Sequence, residues 1–549
     1  MGTLNDRKRV LPSCREDCPA GIDVPRYIRH IRHGDFGGAL RVIRETVPFP
    51  AVCGYACVHP CEARCARIQF DETIAIRLLK RAAWELSTGT EAVPRVSGPT
   101  GKSVAIIGSG PCGLTAAYFL ALLGHAVEVF ERDTLAGGML RSAIPEYRLP
   151  EEALENDLGL IFGLGVRFAG GRDVCVAELA GRYDAVLIAS GNQLSKRLAV
   201  PGFELPGVHR GLDFLRAVRK GEKIAVGEKV CVIGGGNAAA DAARSSLRLG
   251  AKIVRIVCLE RPGEMPAYPW EVAEAVEEGI AIENGWGPKA VYGKGNRAAG
   301  VVCVRCVSVF DETGRFNPRY DLSATRTFDA DTVVFAIGQS PDAAFVDVPG
   351  VGAHGEGFID VDEGLMTNAP GVFAAGEAVT RASSIIHAIA GGRRAAVSID
   401  RFLGGEGTID RAGEDGSCSA ICEPSPRGAP RRRAAVADPQ ERIAGFLPVE
   451  TGYSAEMAVE EASRCLACDV RQFIVEVDPL VCKECGYCRE VCSLNVFAVS
   501  DAFNPGGYRP VAAIGPERCV GCLKCLYICP DFALSIRNSD RINTDVRSG

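Results

Sequence analysis

Near its C-terminus the chain spells the same cysteine spacing twice. VCKECGYCREVC supplies Cys482, Cys485, Cys488 and Cys492; RCVGCLKCLYICP supplies Cys519, Cys522, Cys525 and Cys529. Both read C-x2-C-x2-C-x3-C, and no other feature restricts the local fold so tightly. Three thiolates spaced this closely wrap one [4Fe–4S] cube, while the fourth reaches a neighbouring cube. The expected ligand sets therefore cross: Cys482, Cys485, Cys488 and Cys529 for one cluster, and Cys519, Cys522, Cys525 and Cys492 for the other. Structural zinc is the plain alternative, and the doubling argues against it.

This tail resembles the bacterial two-cluster ferredoxins. Ser493 departs from their pattern, standing where a proline usually follows, which loosens the turn without touching a ligand. The resemblance implies an α+β ferredoxin-like domain over residues 471–549.

At 549 residues the chain is long enough for three to four domains. A net charge of −6 gives no general basic field for nucleic acid. The 24 cysteines are clustered, and the opening MGTLNDRKRV has no apolar run behind its charges. Together these point to metal ligation in a reducing, cytoplasmic setting rather than to disulfides. Residues 103–127 carry no Asp, Glu, Lys or Arg, but Gly108, Gly110, Pro111 and Gly113 break them into a short run and a helix-length run. A buried strand, turn and helix is expected there, not a membrane span.

KSVAIIGSGPCGLTAAYFLALLGHAVEVFE reads as strand, turn, helix, strand. Gly108, Gly110 and Gly113 make G-x-G-x-x-G, which lets a pyrophosphate approach the helix N-terminus, and Glu131 closes the second strand where a carboxylate binds a ribose hydroxyl. A second unit, KVCVIGGGNAAADAARSSLRLGAKIVRIVCLER, has Gly234, Gly236 and Ala239 in the G-x-G-x-x-A form. Two dinucleotide sites suggest a flavin and a nicotinamide. TNAPGVFAAGEA adds a late strand ending in Gly376 and Glu377, which can face a flavin ribityl and phosphate.

These stretches, with GGMLRSAIPEYRLP, YDAVLIASG, VVFAIGQSPD and GVFAAGEA, resemble the glutamate synthase small subunit family, which includes the reductase half of dihydropyrimidine dehydrogenase. The resemblance implies a multidomain chain. Its expected parts are a helical iron–sulfur domain (1–100), an FAD domain (101–225 and 330–405) and an NAD(P) domain (226–329) inserted in it, both Rossmann-like α/β. A linker (406–470) follows, in which residues 431–433 read as solvated charge. FAD would contact Ser109, Gly110, Pro111, Cys112, Gly113, Glu131, Gly138, Met139, Arg148, Gly376 and Glu377. Cys112 also reads as a small packed thiol. The nicotinamide cofactor would be lined by Gly235, Gly236, Asn237, Ala238, Glu260, Arg261, Ala336, Ile337 and Gly338. NADP-using relatives place paired basic residues where Glu260 and Arg261 stand. A carboxylate there accepts from a ribose hydroxyl and repels a phosphate, so NAD is expected over NADP.

CREDCPAGIDVP and VCGYACVHPCEARCAR resemble that family's N-terminal domain, which holds two [4Fe–4S] clusters, but the usual leading C-x2-C is missing. EEASRCLACD, far downstream, carries the lost pair. The expectation is a permuted site of Cys14, Cys65, Cys465 and Cys468. The second head cluster would take Cys18, Cys57 and Cys61. Its fourth ligand in relatives is Gln or Glu; Glu72 is the candidate, Lys80 stands at the matching position and cannot ligate as an ammonium, and Cys53 is the all-cysteine alternative. His59 is read as packing beside Pro60. Cys175, Cys231, Cys258, Cys303, Cys306, Cys418 and Cys422 are read as non-ligands.

The implied function is electron transfer between NAD(H) and low-potential clusters through FAD, in a subunit of a larger oxidoreductase. The expected partner is a thiamine diphosphate 2-oxoacid oxidoreductase such as phenylglyoxylate dehydrogenase. The alternatives are a glutamate synthase small subunit, a stand-alone NAD(P)H:ferredoxin reductase and a non-catalytic scaffold.

Overall fold

The computed structural model describes residues 11–88, 94–409 except 343, 347, 356 and 382, then 428–469 and 473–538. Cys418 and Cys422 lie outside the described residues. The chain divides into two compact units, one from Met1–Ala92, Asp410–Ala434 and Gly452–Gly549, the other from Val93–Ile409 and Ala435–Thr451. The stretch expected as one linker is thus shared between the two.

The second unit holds two five-stranded parallel sheets. In the first, Ser103–Ile107 is central, with Ala126–Phe130 and then Arg167–Ala169 on one side, Ala185–Ile188 and then Val372–Ala374 on the other. The second repeats the arrangement around Lys229–Ile233: Ile253–Cys258 and Ala281–Asn284 on one side, Thr332–Phe335 and Val208–Arg210 on the other. Each glycine turn leaves the C-terminal end of a central strand, where neighbouring strands diverge and an α/β sheet opens a crevice. The apolar 103–127 stretch resolves into the strand Ser103–Ile107 and the helix Pro111–Leu122, buried from Cys112 through Ala121. A helix apolar on every side belongs in a core. Among the described residues no helix is long and apolar enough to cross a membrane.

In the first unit the head is helical. Asp23 accepts from the Arg26 N–H to cap Val24–Arg32, and Asp35 accepts from the Gly38 N–H to cap Phe36–Arg44. The returning chain adds the helix Ala455–Ser463, capped by Ser454 accepting from the Met457 N–H. Arg464, 1% exposed, closes the seam. Its guanidinium donates to Asp71 (3.0 Å), Glu461 (2.8 Å) and the carbonyls of Glu72 (2.6 Å), Thr73 (3.3 Å) and Ala429 (3.1 Å). Residues 431–433 are not simply solvated charge. Arg431 pairs with Glu62 (2.6 Å), Arg433 with Glu72 (2.7 Å), and the Arg432 N–H donates to Glu461 (2.8 Å). Acidic groups supply the reason, Glu62 and Glu72 lying 369 and 361 residues from their arginines.

The tail is two small antiparallel pairs, Phe473–Val477 with Leu534–Asn538 and Phe497–Val499 with Val511–Ala513. The helices Tyr487–Val491 and Lys524–Ile528 lie within the two cysteine runs and carry Cys488 and Cys525. Cys482, Cys488 and Cys525 belong to its core, beside Val475, Val496, Phe497 and Leu534.

Candidate redox sites

A cavity of about 1130 Å³ is lined by both glycine turns, more room than one small ligand needs. From the first turn, Gly110, Pro111 and Cys112 line it, joined by Glu131, Gly138, Met139 and Glu377. From the second come Gly235, Gly236, Asn237, Ala238 and Glu260, with Ala336, Ile337 and Gly338 opposite. Ser109, Gly113 and Gly376 lie behind this wall and shape it. A Cβ on Gly113 would sit 2.1 Å from the Gly108 carbonyl oxygen, so only glycine lets the helix start there.

The two strand-end carboxylates differ. Glu131 Oε2 accepts from the Ser109 N–H (2.9 Å) and hydroxyl (2.7 Å), and its Oε1 accepts from the Asp133 N–H (3.0 Å). Glu260 Oε2 is buried with no hydrogen-bond partner among the described residues. It lies 2.4 Å from where a Gly235 Cβ would be. An unpaired buried carboxylate oxygen is costly unless a ligand completes it. Asn192 Oδ1 and Ser190 Oγ, at residues lining the same cavity, are likewise buried and unpartnered. Such orphan acceptors and close glycine backbone fit polar dinucleotides.

Two expected contacts are placed differently. Arg148 is drawn off the cavity wall into ion pairs with Asp241 (2.7 Å) and Glu271 (2.8 Å), because two buried carboxylates need a counter-charge. Arg261 sends its guanidinium to the Val307 carbonyl (3.4 Å) instead of into the cavity. Cys112 is packed against Gly376, and burial with Glu377 nearby pushes its thiol up to about 12. Asn192, Gln193 and Lys196, just beyond Gly191 and outside the expected set, also line the cavity. Their signal was position: they follow the strand Ala185–Ile188 at its C-terminal end.

The thiols gather in groups. Burial raises the Cys14 thiol, and Cys468, Cys65 and Cys465 raise it further. Burial likewise raises Cys468, with Cys465 and Cys65 adding to it. Thiols from both ends of the chain are therefore electrostatic neighbours. In the second group Cys57 is lowered to about 5 by its hydrogen bond with Cys53, against burial, and Lys80 helps. Cys61 is raised by burial, with Lys80 opposing and Cys57 and Cys18 adding. Glu72 is turned elsewhere: its Oε2 accepts from the Arg431 N–H (3.2 Å) and its Oε1 pairs with Arg433. His59 stands near Glu62 (3.9 Å), its own pKa lowered by burial.

In the tail, burial raises Cys488 to about 11, with Cys482, Cys485 and Cys529 as neighbours. Burial raises Cys525 to about 12, with Cys522, Cys519 and Cys492 as neighbours. No three His, Cys, Asp or Glu side chains among the described residues converge on a single-ion site. None of the described cysteines is in a disulfide. Cys231, Cys258 and Cys303 are buried, and Cys231 and Cys303 pack in the core of the second sheet.

A fold of two dinucleotide-type units around one cavity, with thiol clusters in a separate unit, defines an iron–sulfur flavoprotein oxidoreductase. The pyridine nucleotide-disulphide oxidoreductase family matches residues 102–392, the dihydropyrimidine dehydrogenase domain II 4Fe-4S family residues 8–91, and the 4Fe-4S dicluster family residues 481–533. The NADP(+)-dependent formate dehydrogenase subunit beta of Moorella thermoacetica is 38% identical over 84% of this chain and 71% of its own length. The NADPH-Fe(3+) oxidoreductase subunit beta of Geobacter sulfurreducens is 35% identical over 83% of this chain and 75% of its own. The glutamate synthase [NADPH] small chain of Azospirillum brasilense is 33% identical, over 71% and 86%. The chain belongs to the pyridine nucleotide-disulphide oxidoreductase family, in the form resembling the glutamate synthase small subunit and carrying 4Fe-4S domains at both ends.

Proposed function

We propose that this chain is the electron-transfer subunit of a larger oxidoreductase, joining NAD(H) to four [4Fe–4S] clusters through FAD. The observation that carries the reading is the cavity lined by both glycine turns; the sixteen cysteines assigned to four sets support the cluster count. The chemistry supplied by bound FAD is exchange of a hydride with nicotinamide and of single electrons with iron–sulfur clusters.

The residues bind and orient. Gly110 to Cys112 and Glu131 would hold the FAD pyrophosphate and ribose, with Gly138, Met139 and Glu377 beside the rest of the molecule. Gly235 to Ala238 would take the nicotinamide dinucleotide, and the unpartnered Glu260 Oε2 supports a free ribose hydroxyl, hence NAD. Cys14, Cys65, Cys465 and Cys468 would hold one head cluster. Because Glu72 is committed to arginines, Cys53 would complete Cys18, Cys57 and Cys61. The tail would hold its two clusters in the crossed sets.

Anaerobic titration tests the reading. NADH should bleach the flavin absorbance well before equal NADPH does; faster bleaching by NADPH would overturn the NAD assignment, and bleaching by neither would overturn the enzyme. Iron should be about sixteen per chain, and Cys465→Ser should remove about four. For the partner, a 2-oxoacid oxidoreductase is the reading from the tail's need for a low-potential donor. The formate dehydrogenase relative favours a second, a partner acting on formate. Co-purification of the partner, assayed with 2-oxoacids and with formate, separates them.

A further inference from the structure

Lys80 sits on the helix Ile76–Glu85 and is only 3% exposed. Three contacts fix that helix against the segments bearing cysteines. The Arg77 N–H donates to Glu62 Oε1 (2.8 Å), beside Cys61. The Arg77 guanidinium donates to the carbonyls of Gly54 (3.1 Å) and Tyr55 (3.3 Å), on the helix Pro50–Ala56 that carries Cys53. A Cβ on Gly54 would lie 2.7 Å from Arg81 Cα, so the two helices meet backbone to backbone. Lys80 stands three residues after Arg77, hence on the same face. That face is turned toward the helix Pro50–Ala56, which carries Cys53, and toward the turn that carries Cys61.

An ammonium buried this deeply needs anionic partners. The buried carboxylates beside this helix are engaged: Glu62 with Arg431 and the Arg77 N–H, Glu85 with Arg81 and Tyr55, and Glu461 with Arg464 and the Ala75 and Arg432 N–H groups. That leaves sulfur.

We propose that Lys80 is a positioning residue for the second head cluster, its fixed positive charge set against the thiolates of Cys18, Cys53, Cys57 and Cys61 so that the cluster accepts an electron at a higher potential. The inference rests on the four-thiol set proposed above. Reduction adds one electron and one negative charge to the cluster; no bond or proton is exchanged. A neighbouring cation in a low-dielectric site stabilises the reduced form more than the oxidised one.

The test uses the full chain, loaded with iron and sulfide and titrated with EPR detection. Cys53→Ala identifies the signal: it should remove about four irons and one cluster's spectrum. Lys80→Met should keep its iron but leave that cluster about tenfold less reduced at a fixed poise, which for one electron is about 59 mV. Lys80→Arg should keep the wild-type midpoint. An unchanged midpoint in Lys80→Met, or an equal shift in both variants, overturns the proposal. If Lys80→Met does not load, Lys80→Arg decides: loading with the wild-type midpoint supports the charge role, and failure to load overturns it. Should Cys53→Ala remove no cluster, the ligand set itself falls and takes the proposal with it.

Discussion

The head and the tail each draw on eight cysteines, yet they are built in opposite ways. The tail collects its eight from 48 consecutive residues, around small strand pairs, and leaves Cys485 exposed. The head collects its eight from both ends of the chain and buries five of them. Its seam is made by arginines whose partners are hundreds of residues away: Arg464 with Asp71, Arg67 with the Arg464 carbonyl (2.9 Å), and Arg29 with Asp469 (2.8 Å). A locally encoded site needs only its turns. A site assembled over distance has to be held by interactions that repay the ordering of a long loop, and here those interactions are buried and charged.

That contrast can be broken most severely at Arg464. Arg464→Ala removes the buried guanidinium that joins Asp71 and Glu461 to the carbonyls of Glu72, Thr73 and Ala429, and should destabilise the first unit by about 3–5 kcal/mol. Urea unfolding and iron content are the measurements, with the iron loss confined to the head. A cost below about 1 kcal/mol would mean the returning segment is held by something else.

A smaller effect is expected at Asp71. The Arg67 hydrogen bonds lower its pKa to about 2 from 3.8, and Arg464 adds to this. A carboxylate lowered by folding stabilises the fold above its unfolded pKa, and that stability is lost as pH falls through the folded value. The advantage of wild type over Asp71→Asn should therefore be complete above about pH 4, amount to about 1 kcal/mol after solvent screening, and vanish near pH 2. Urea midpoints at stepped pH check it, and an advantage persisting below pH 2 would contradict the assignment.

The smallest effect belongs to the tail. Arg509, half-exposed, pairs with Glu484 at 2.8 Å. Arg509→Ala should cost no more than about 1 kcal/mol and leave the iron content unchanged. A cost matching that of Arg464→Ala would erase the distinction between the two regions.

What the sequence by itself determined is what short-range spacing encodes. The two cysteine runs of the tail, the two glycine turns and the strand-end acids Glu131 and Glu260 each lie within one short stretch of chain. Steric and chelate geometry over a few residues decides them. The displaced motif kept its wording, and that is what suggests Cys465 and Cys468 as the partners proposed for Cys14. Only the tertiary structure decided which charges neutralise which. It sent Arg148 to Asp241 and Glu271, Glu72 to Arg433 and Arg431 to Glu62, and it buried Lys80 on the helix packed against that of Cys53. A buried charge takes the partner that folding brings beside it, and no local pattern names a partner several hundred residues away.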